Sequence, residues 1–205
     1  VTRDSIFSCT FSSSDSCWFM SKASSNSPSS IAGSLLLASP VMDDPNFSRT
    51  VIFMAAHSTK DGAFGYILNR PLEQKVVDLL PDQDLGALAD VPVFVGGPVA
   101  TDKLAFASLQ WNKRKRTIRC QTHLSVPDAI EELKHGHDVR GFVGYSGWTG
   151  GQLENELRRR SWITTQAKPL VLTVEPQAKL WESLLHDMGP VFGLMAGMPE
   201  NVRLN

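Results

Sequence analysis

The chain has 205 residues, 20 of them Lys or Arg and 21 Asp or Glu, and a formal net charge of −1 at pH 7. That length fits one domain with a real apolar core, and the near-neutral total argues against a partner held mainly through a phosphate backbone. Cys9, Cys17 and Cys120 have no CxxC or histidine-rich neighbour, which argues against a disulfide framework and gives no metal-ligand spacing.

No metal and no cofactor is therefore expected, and a reducing, cytoplasmic setting is the simplest reading. No apolar run approaches the roughly 18 residues of a membrane span. In chain order, residues 1–30 are dominated by serine and cannot bury enough surface to offset ordering entropy, so a disordered tail ending near Ile31 is expected. The start at Val1, with Met20-Ser-Lys inside the tail, suggests a mis-assigned start over residues 1–19. Residues 31–205 then read as one folded domain.

"SLLLASP" is a short buried strand stopped by Pro40, and "VMDDPNF" is a turn rich in Asp, Asn and Pro. "RTVIFMAAH" and "AFGYILN" are strands joined by a hairpin at Asp61-Gly62. "VVDLLPD" reads as a short helix, "VPVFVGGPV" and "KLAFASLQW" as strands, and "NKRKR" as a basic hairpin tip before "TIRCQTHL". Ser125 caps a helix that has Pro127 in its first turn and ends at Gly136. "VRGFVGYS" is a buried strand, "QLENELRRR" a helix, "SWITTQA" and "LVLTV" strands, and "PQAKLWESLLHDMG" a last helix. This order is too strand-rich for a doubly wound sheet and predicts an α+β domain of mixed sheets with packed helices.

The glycine-rich stretch "GFVGYSGWTGGQLE" carries the most chemistry. It lacks the Lys-Ser/Thr of a Walker loop, the GxGxxG of a dinucleotide site and the spacing of a nucleophile elbow. Thr149 followed by Gln152 is instead a capping-box pattern. Gly147, Gly150 and Gly151 allow the chain to reverse, and Arg158 to Arg160 suit the far dipole end. A helix start beside Trp148 at the end of a buried strand remains a plausible anion site.

Arg70, next to Asn69, is the first choice for anion contact, because a guanidinium forks onto carboxylate or phosphate; its structural alternative clamps the Asp43-Asp44 loop. Gly96 and Gly97 admit a close backbone approach, from a ligand or from a curved sheet. Asp43 and Asp44 solvate a turn, and Glu154 and Glu156 face different ways. His135 and His137 suit a helix end without any metal, and His57 has no assignable nucleophile. Lys113 to Arg116 with Arg119, beside Trp111, give the only hint of nucleic acid.

The segments "LLLASPVMDDPNFSRTVIFM", "GYILNRPL", "VFVGGPV" and "GYSGWTGGQLENEL…SW", in this order, resemble the YqgE/AlgH family of bacterial proteins over about residues 32–188. The resemblance implies a small cytoplasmic protein of coiled, bifurcated β-sheets and little about activity, beyond a link to exopolysaccharide regulation in one branch. Members often carry a histidine where this chain has Ala107 and Ser108. The "NKRKR" tip and the C-terminal "VFGLMAGMPENVRLN" lie outside the common core.

The expected function is a ligand- or partner-binding regulatory domain. Its pocket would be made by Asn69, Arg70, Gly96, Gly97, Ser146, Gly147, Trp148, Gly150, Gly151 and Gln152. A small anion or an acidic protein segment is the expected partner, and nucleic acid is disfavoured by the total charge. The alternatives are a hydrolase or transferase using Ser146, and a regulator contacting nucleic acid through residues 113–119.

Overall fold

In the computed structural model the described residues are 30–173 and 176–197, all but Ser30 lying in the compact unit Ile31–Asn205. The serine-rich tail and the suggested false start lie outside them, apart from Ser30. The described strands are β1 (Ser34–Ala38), β2 (Val51–Ser58), β3 (Gly62–Ile67), β4 (Pro71–Lys75), β5 (Pro92–Val95), β6 (Val99–Asn112), β7 (Thr117–Leu124), β8 (Asp138–Trp148) and β9 (Trp162–Gln166). The α-helices are α1 (Val76–Leu79), α2 (Val126–Lys134), α3 (Gln152–Arg158), α4 (Leu180–Asp187) and α5 (Pro190–Ala196). The strands form one mixed sheet in the order β4-β5-β8-β3-β2-β1-β9, with β6 joined to β8 and to β7. This is an α+β domain, as the strand-rich order predicts.

The uninterrupted apolar run of β1 follows from burial on both faces. Leu35 and Leu37 pack with Phe53, Trp181, Leu184 and Leu185 on one side. Leu36 packs with Ile52, Ile67, Leu153 and Trp162 on the other. A third cluster, under α2, joins Val76, Leu88, Val93, Phe106 and Val139.

The central strand β8 changes partner along its length. Val93 to Val95 of β5 run parallel to Gly141 to Val143, whereas Ala63 to Gly65 of β3 run antiparallel to Trp148 to Ser146. Gly96 stands at the fork: its N–H donates to Val143 at 2.8 Å and its carbonyl accepts from Ile67 at 3.0 Å. The chain then crosses β8 so closely that a Cβ on Gly97 would lie 2.3 Å from the Tyr145 carbonyl carbon, at a φ of +153°. Only glycine fits that crossing.

Two expectations need correction. The strand expected over residues 170–174 does not form. Pro169–Leu172 make a 3-10 turn instead, with Val174 outside the described residues. Pro169 has no N–H for a ladder and suits a first helical position, and the turn drives Val171 into the core at 2% exposure. The helix expected to be the last, over "PQAKLWESLLHDMG", is followed by another: "VFGLMA" is helical in α5, with Pro190 in its first turn and Gly193 and Ala196 buried.

Candidate functional site

The loop between β1 and β2 (residues 39–50) is held by Asn69 and Arg70, the pair singled out in the sequence. The Asn69 side chain accepts from the Val51 N–H and donates to the Arg49 carbonyl, both at 2.8 Å. Arg70 Nη2 donates to the carbonyls of Pro45 and Ser48, both at 3.1 Å. Its geometry is that of a loop clamp. Within the loop, Asp44 Oδ1 accepts from the Asn46 N–H and Thr50 Oγ1 donates to the Phe47 carbonyl, an Asx turn followed by a hydroxyl tie. The backbone between Asp44 and Arg49 is therefore fixed by side chains of the β3–β4 connection and of the loop itself.

The fixed loop projects Phe47 onto an aromatic corner. Its ring stacks on Trp148 at 6.3 Å and meets Trp162 edge-on at 5.4 Å, and the two indoles are themselves 5.9 Å apart at 81°. Trp148 ends β8 and Trp162 starts β9, so the corner ties the loop to both strands. Glu156 of α3 organises it. One carboxylate oxygen accepts from both indole N–H groups at 2.8 Å, and the other accepts from Gln152 Nε2 at 3.0 Å. Three neutral donors thus fill most of the acceptor positions of one carboxylate.

Between the loop and α3 lies a cleft of about 410 Å³. Asp43 and Asp44 stand on its loop wall, Arg159 and Arg160 on its helix wall, and Phe47, Met42 and Trp162 supply apolar surface. Arg160 has an unusual backbone. It follows the last turn of α3 at a φ of +59°, its N–H donates to Leu157, and the next N–H, of Ser161, reaches back to Glu156. This is a Schellman stop, in which the left-handed position normally belongs to glycine. The same stop at the end of α2 does use glycine, Gly136, at φ +76°.

Of the ten residues selected from sequence, Gln152 lines this cleft. Asn69 and Arg70 hold its loop, and Trp148 forms its backing. Gly150 seats the start of α3 against the β2–β3 hairpin, where a Cβ would lie 2.2 Å from the Lys60 carbonyl oxygen; Gly151 donates its N–H to Thr59. The expected capping box does not form, because the helix begins later, with Gly151 as its N-cap and no side-chain cap bond; Gln152 instead accepts from the Thr149 N–H at 3.1 Å, closing the turn before the helix. Gly96, Gly97 and Ser146 belong to the fork instead. The Ser146 hydroxyl is fully buried and donates to the Gly96 carbonyl at 3.1 Å, while Gly147 lies against the Tyr145 ring.

Phe47, Glu156, Arg159, Arg160 and Trp162 were not picked from the sequence as site residues. A partial signal existed, because Gln152 and Glu156 stand four apart in a helix-like run, the spacing that puts side chains on one helix face.

The remaining polar groups are engaged elsewhere. His57, with a side chain 3% exposed, meets Glu154 through Nε2 at 2.9 Å and accepts the Ile31 N–H on Nδ1. Glu132 accepts hydrogen bonds from Ser108, His137 and Gln121, and its carboxyl titrates below the ordinary range, with the Ser108 bond the largest cause. Tyr66, stacked on Phe142 beside the fork at 4.5 Å, is pushed far above the usual phenol range by burial. Among the described residues, no three His, Cys, Asp or Glu side chains cluster as metal ligands, and no helix is long and apolar enough to cross a membrane.

Comparison with known proteins places this architecture. The AlgH-like family matches residues 35–192. A UPF0301 protein of Mycobacterium avium is 36% identical over 185 residues, covering 85% of this chain and 90% of its own. One from Mycobacterium marinum is 37% identical with the same coverage. Among solved structures, the solution structure of the AlgH protein from Pseudomonas aeruginosa superposes with a TM-score of 0.60 at 25% identity, covering 86% of this chain and 98% of its own. A crystal structure from Corynebacterium diphtheriae gives 0.63 at 21% identity, over 81% and 91% of the two chains, and shares the fold. The four segments that build the β1–β2 loop, the fork and the aromatic corner all fall inside the matched residues: the chain belongs to the AlgH-like family.

Proposed function

We propose that this chain is a ligand- or partner-binding regulatory domain of the cytoplasm whose binding surface is the cleft between the β1–β2 loop and α3, with Arg159 and Arg160 receiving an anionic group. The observation that carries the reading is Arg160. It holds a left-handed backbone conformation that costs a non-glycine residue about 1 kcal/mol or more, and it does so on the wall of a cleft. Strain retained at a cleft wall is a reason to suspect a role for the side chain. Arg159 beside it doubles the charge, and the apolar floor of Phe47 and Trp162 suits a ligand with a hydrophobic body. Binding is favoured over catalysis because Ser146, His57 and Glu156 each spend their polar atoms on internal partners.

Thermal-shift and calorimetric titration with inorganic phosphates, nucleotides and acidic peptides tests the proposal, using the full chain and Arg160→Gly. The variant should be more stable by about 1 kcal/mol, because glycine suits the Schellman stop. It should also lose most of the anion-induced stabilisation. An Arg160→Gly protein that responds to anions as the parent does, or a parent that responds to none, overturns the reading.

A further inference from the structure

A second hollow lies at the opposite kind of address, where the tip of the β6–β7 hairpin meets the segment after β9. It encloses about 350 Å³ and is lined by Trp111, Arg116, Gln166, Ala167, Lys168 and Pro169. Trp111 is half-buried and pairs across the hairpin with Ile118, so its indole is anchored to the core on one side and walls the hollow on the other.

The charge around it is one-sided. Lys113, Arg114, Lys115, Arg116 and Arg119 are all exposed, and none of them forms a salt bridge among the described residues. Lys168, at the rim, is neutralised by Asp187. A chain of net charge −1 thus carries five like charges on one hairpin tip. Like charges packed so closely repel one another and attract a polyanion, over a screening distance of about 8–10 Å at physiological salt.

The turn geometry adds an independent observation. The Asn112 side chain accepts the Lys115 N–H and shapes the turn, and Arg116 closes it at a φ of +52°. Glycine is the least strained residue in that conformation. An arginine there is held against a backbone cost, and its side chain lines the hollow.

We infer that this corner binds single-stranded nucleic acid, with one unstacked base entering the hollow against Trp111 and the flanking phosphates lying along Lys113 to Arg119. The hollow has the size for one base and its sugar, an indole for the ring face and the Gln166 amide for its edge. A base paired in a duplex cannot enter such a hollow, whereas single strands offer splayed bases that pack on aromatic side chains. This site is separate from the cleft at α3 and stands whether or not that cleft binds anions.

Fluorescence anisotropy with end-labelled oligouridine, oligothymidine and a duplex of equal length, titrated against the full chain from low to physiological salt, decides the matter. The single strands should bind more tightly than the duplex. Their affinity should fall with salt at a log–log slope of about −2 to −3.5, the value for three to five neutralised phosphates. Trp111→Leu, which keeps an apolar side chain for the core, should weaken binding roughly 5- to 100-fold and leave the slope unchanged. Arg116→Gly should relieve the turn, raise the melting temperature and reduce the slope by about 0.7; it keeps the test decisive if Trp111→Leu is poorly folded. Absence of binding at low salt, duplex binding equal to single-strand binding, or equal capture of heparin or anionic vesicles overturns the inference.

Discussion

Arg140 shows how much a single buried side chain can do in this fold without being a site residue. It is 4% exposed. Nε and Nη2 both donate to Asp138 Oδ2, at 3.0 and 2.7 Å, Nη2 also reaches the Val171 carbonyl at 3.3 Å, and the guanidinium lies 5.0 Å above the Phe94 ring. Arginine suits this position because its planar fork satisfies several acceptors while its faces accept an aromatic ring. Removing one partner of such a pair leaves a poorly solvated charge. Arg140→Met should therefore lower unfolding free energy by about 3 kcal/mol, the lower end of the usual range because Asp138 still reaches solvent. Adding Asp138→Asn should recover part of that loss in urea denaturation. Equal stability of Arg140→Met and the parent would show that the pair contributes nothing net.

At the scale of elements, the packing of α2 on β6 and β8 rests on Glu132. Its carboxylate joins the helix to Ser108 of β6, to Gln121 of β7 at 3.0 Å and to His137 at the start of β8 at 2.8 Å. Because its folded pKa lies below the ordinary 4.5, the contribution is fully present above that value and is lost as pH falls through the lowered one. Glu132→Gln should accordingly flatten the fall in stability below about pH 4.5, as followed by denaturant midpoints across pH. An unchanged acid limb would mean that other carboxylates dominate. Ser108 occupies the region where relatives were expected to carry histidine, and here its hydroxyl serves this helix–sheet tie.

At the scale of the whole molecule, most elements were legible because their signals are local: short apolar runs bounded by turn residues in the strands, Asp61-Gly62 in a hairpin, Ser125 and Gly136 at the ends of α2. The 3-10 turn at Pro169–Leu172 was not, since its apolar run fits a buried strand equally well and only tertiary packing separates the two. The site was half legible. Asn69, Arg70 and the Gly-Trp-Thr-Gly-Gly-Gln stretch stood out, but their work is to shape and brace the cleft. The groups that line it, such as Arg160, become visible only once a backbone angle is known. The double burial of β1 also gives a global expectation. Leu36→Ala, at 0% exposure, should cost about 2–5 kcal/mol and speed hydrogen exchange across β1, β2 and β9 together. Exchange confined to β1 would argue for independent layers.

The partner change along β8 bears on how the protein is made. Emerging from the ribosome, the β2–β3 and β6–β7 hairpins can each close on their own neighbours. Yet β3, β5 and β6 all wait for the same late strand, and β1 gains its outer partner only when β9 follows. The nascent chain thus carries unfinished ladders until residue 166 has been added. Exposure to misassembly therefore persists until β9 has been made.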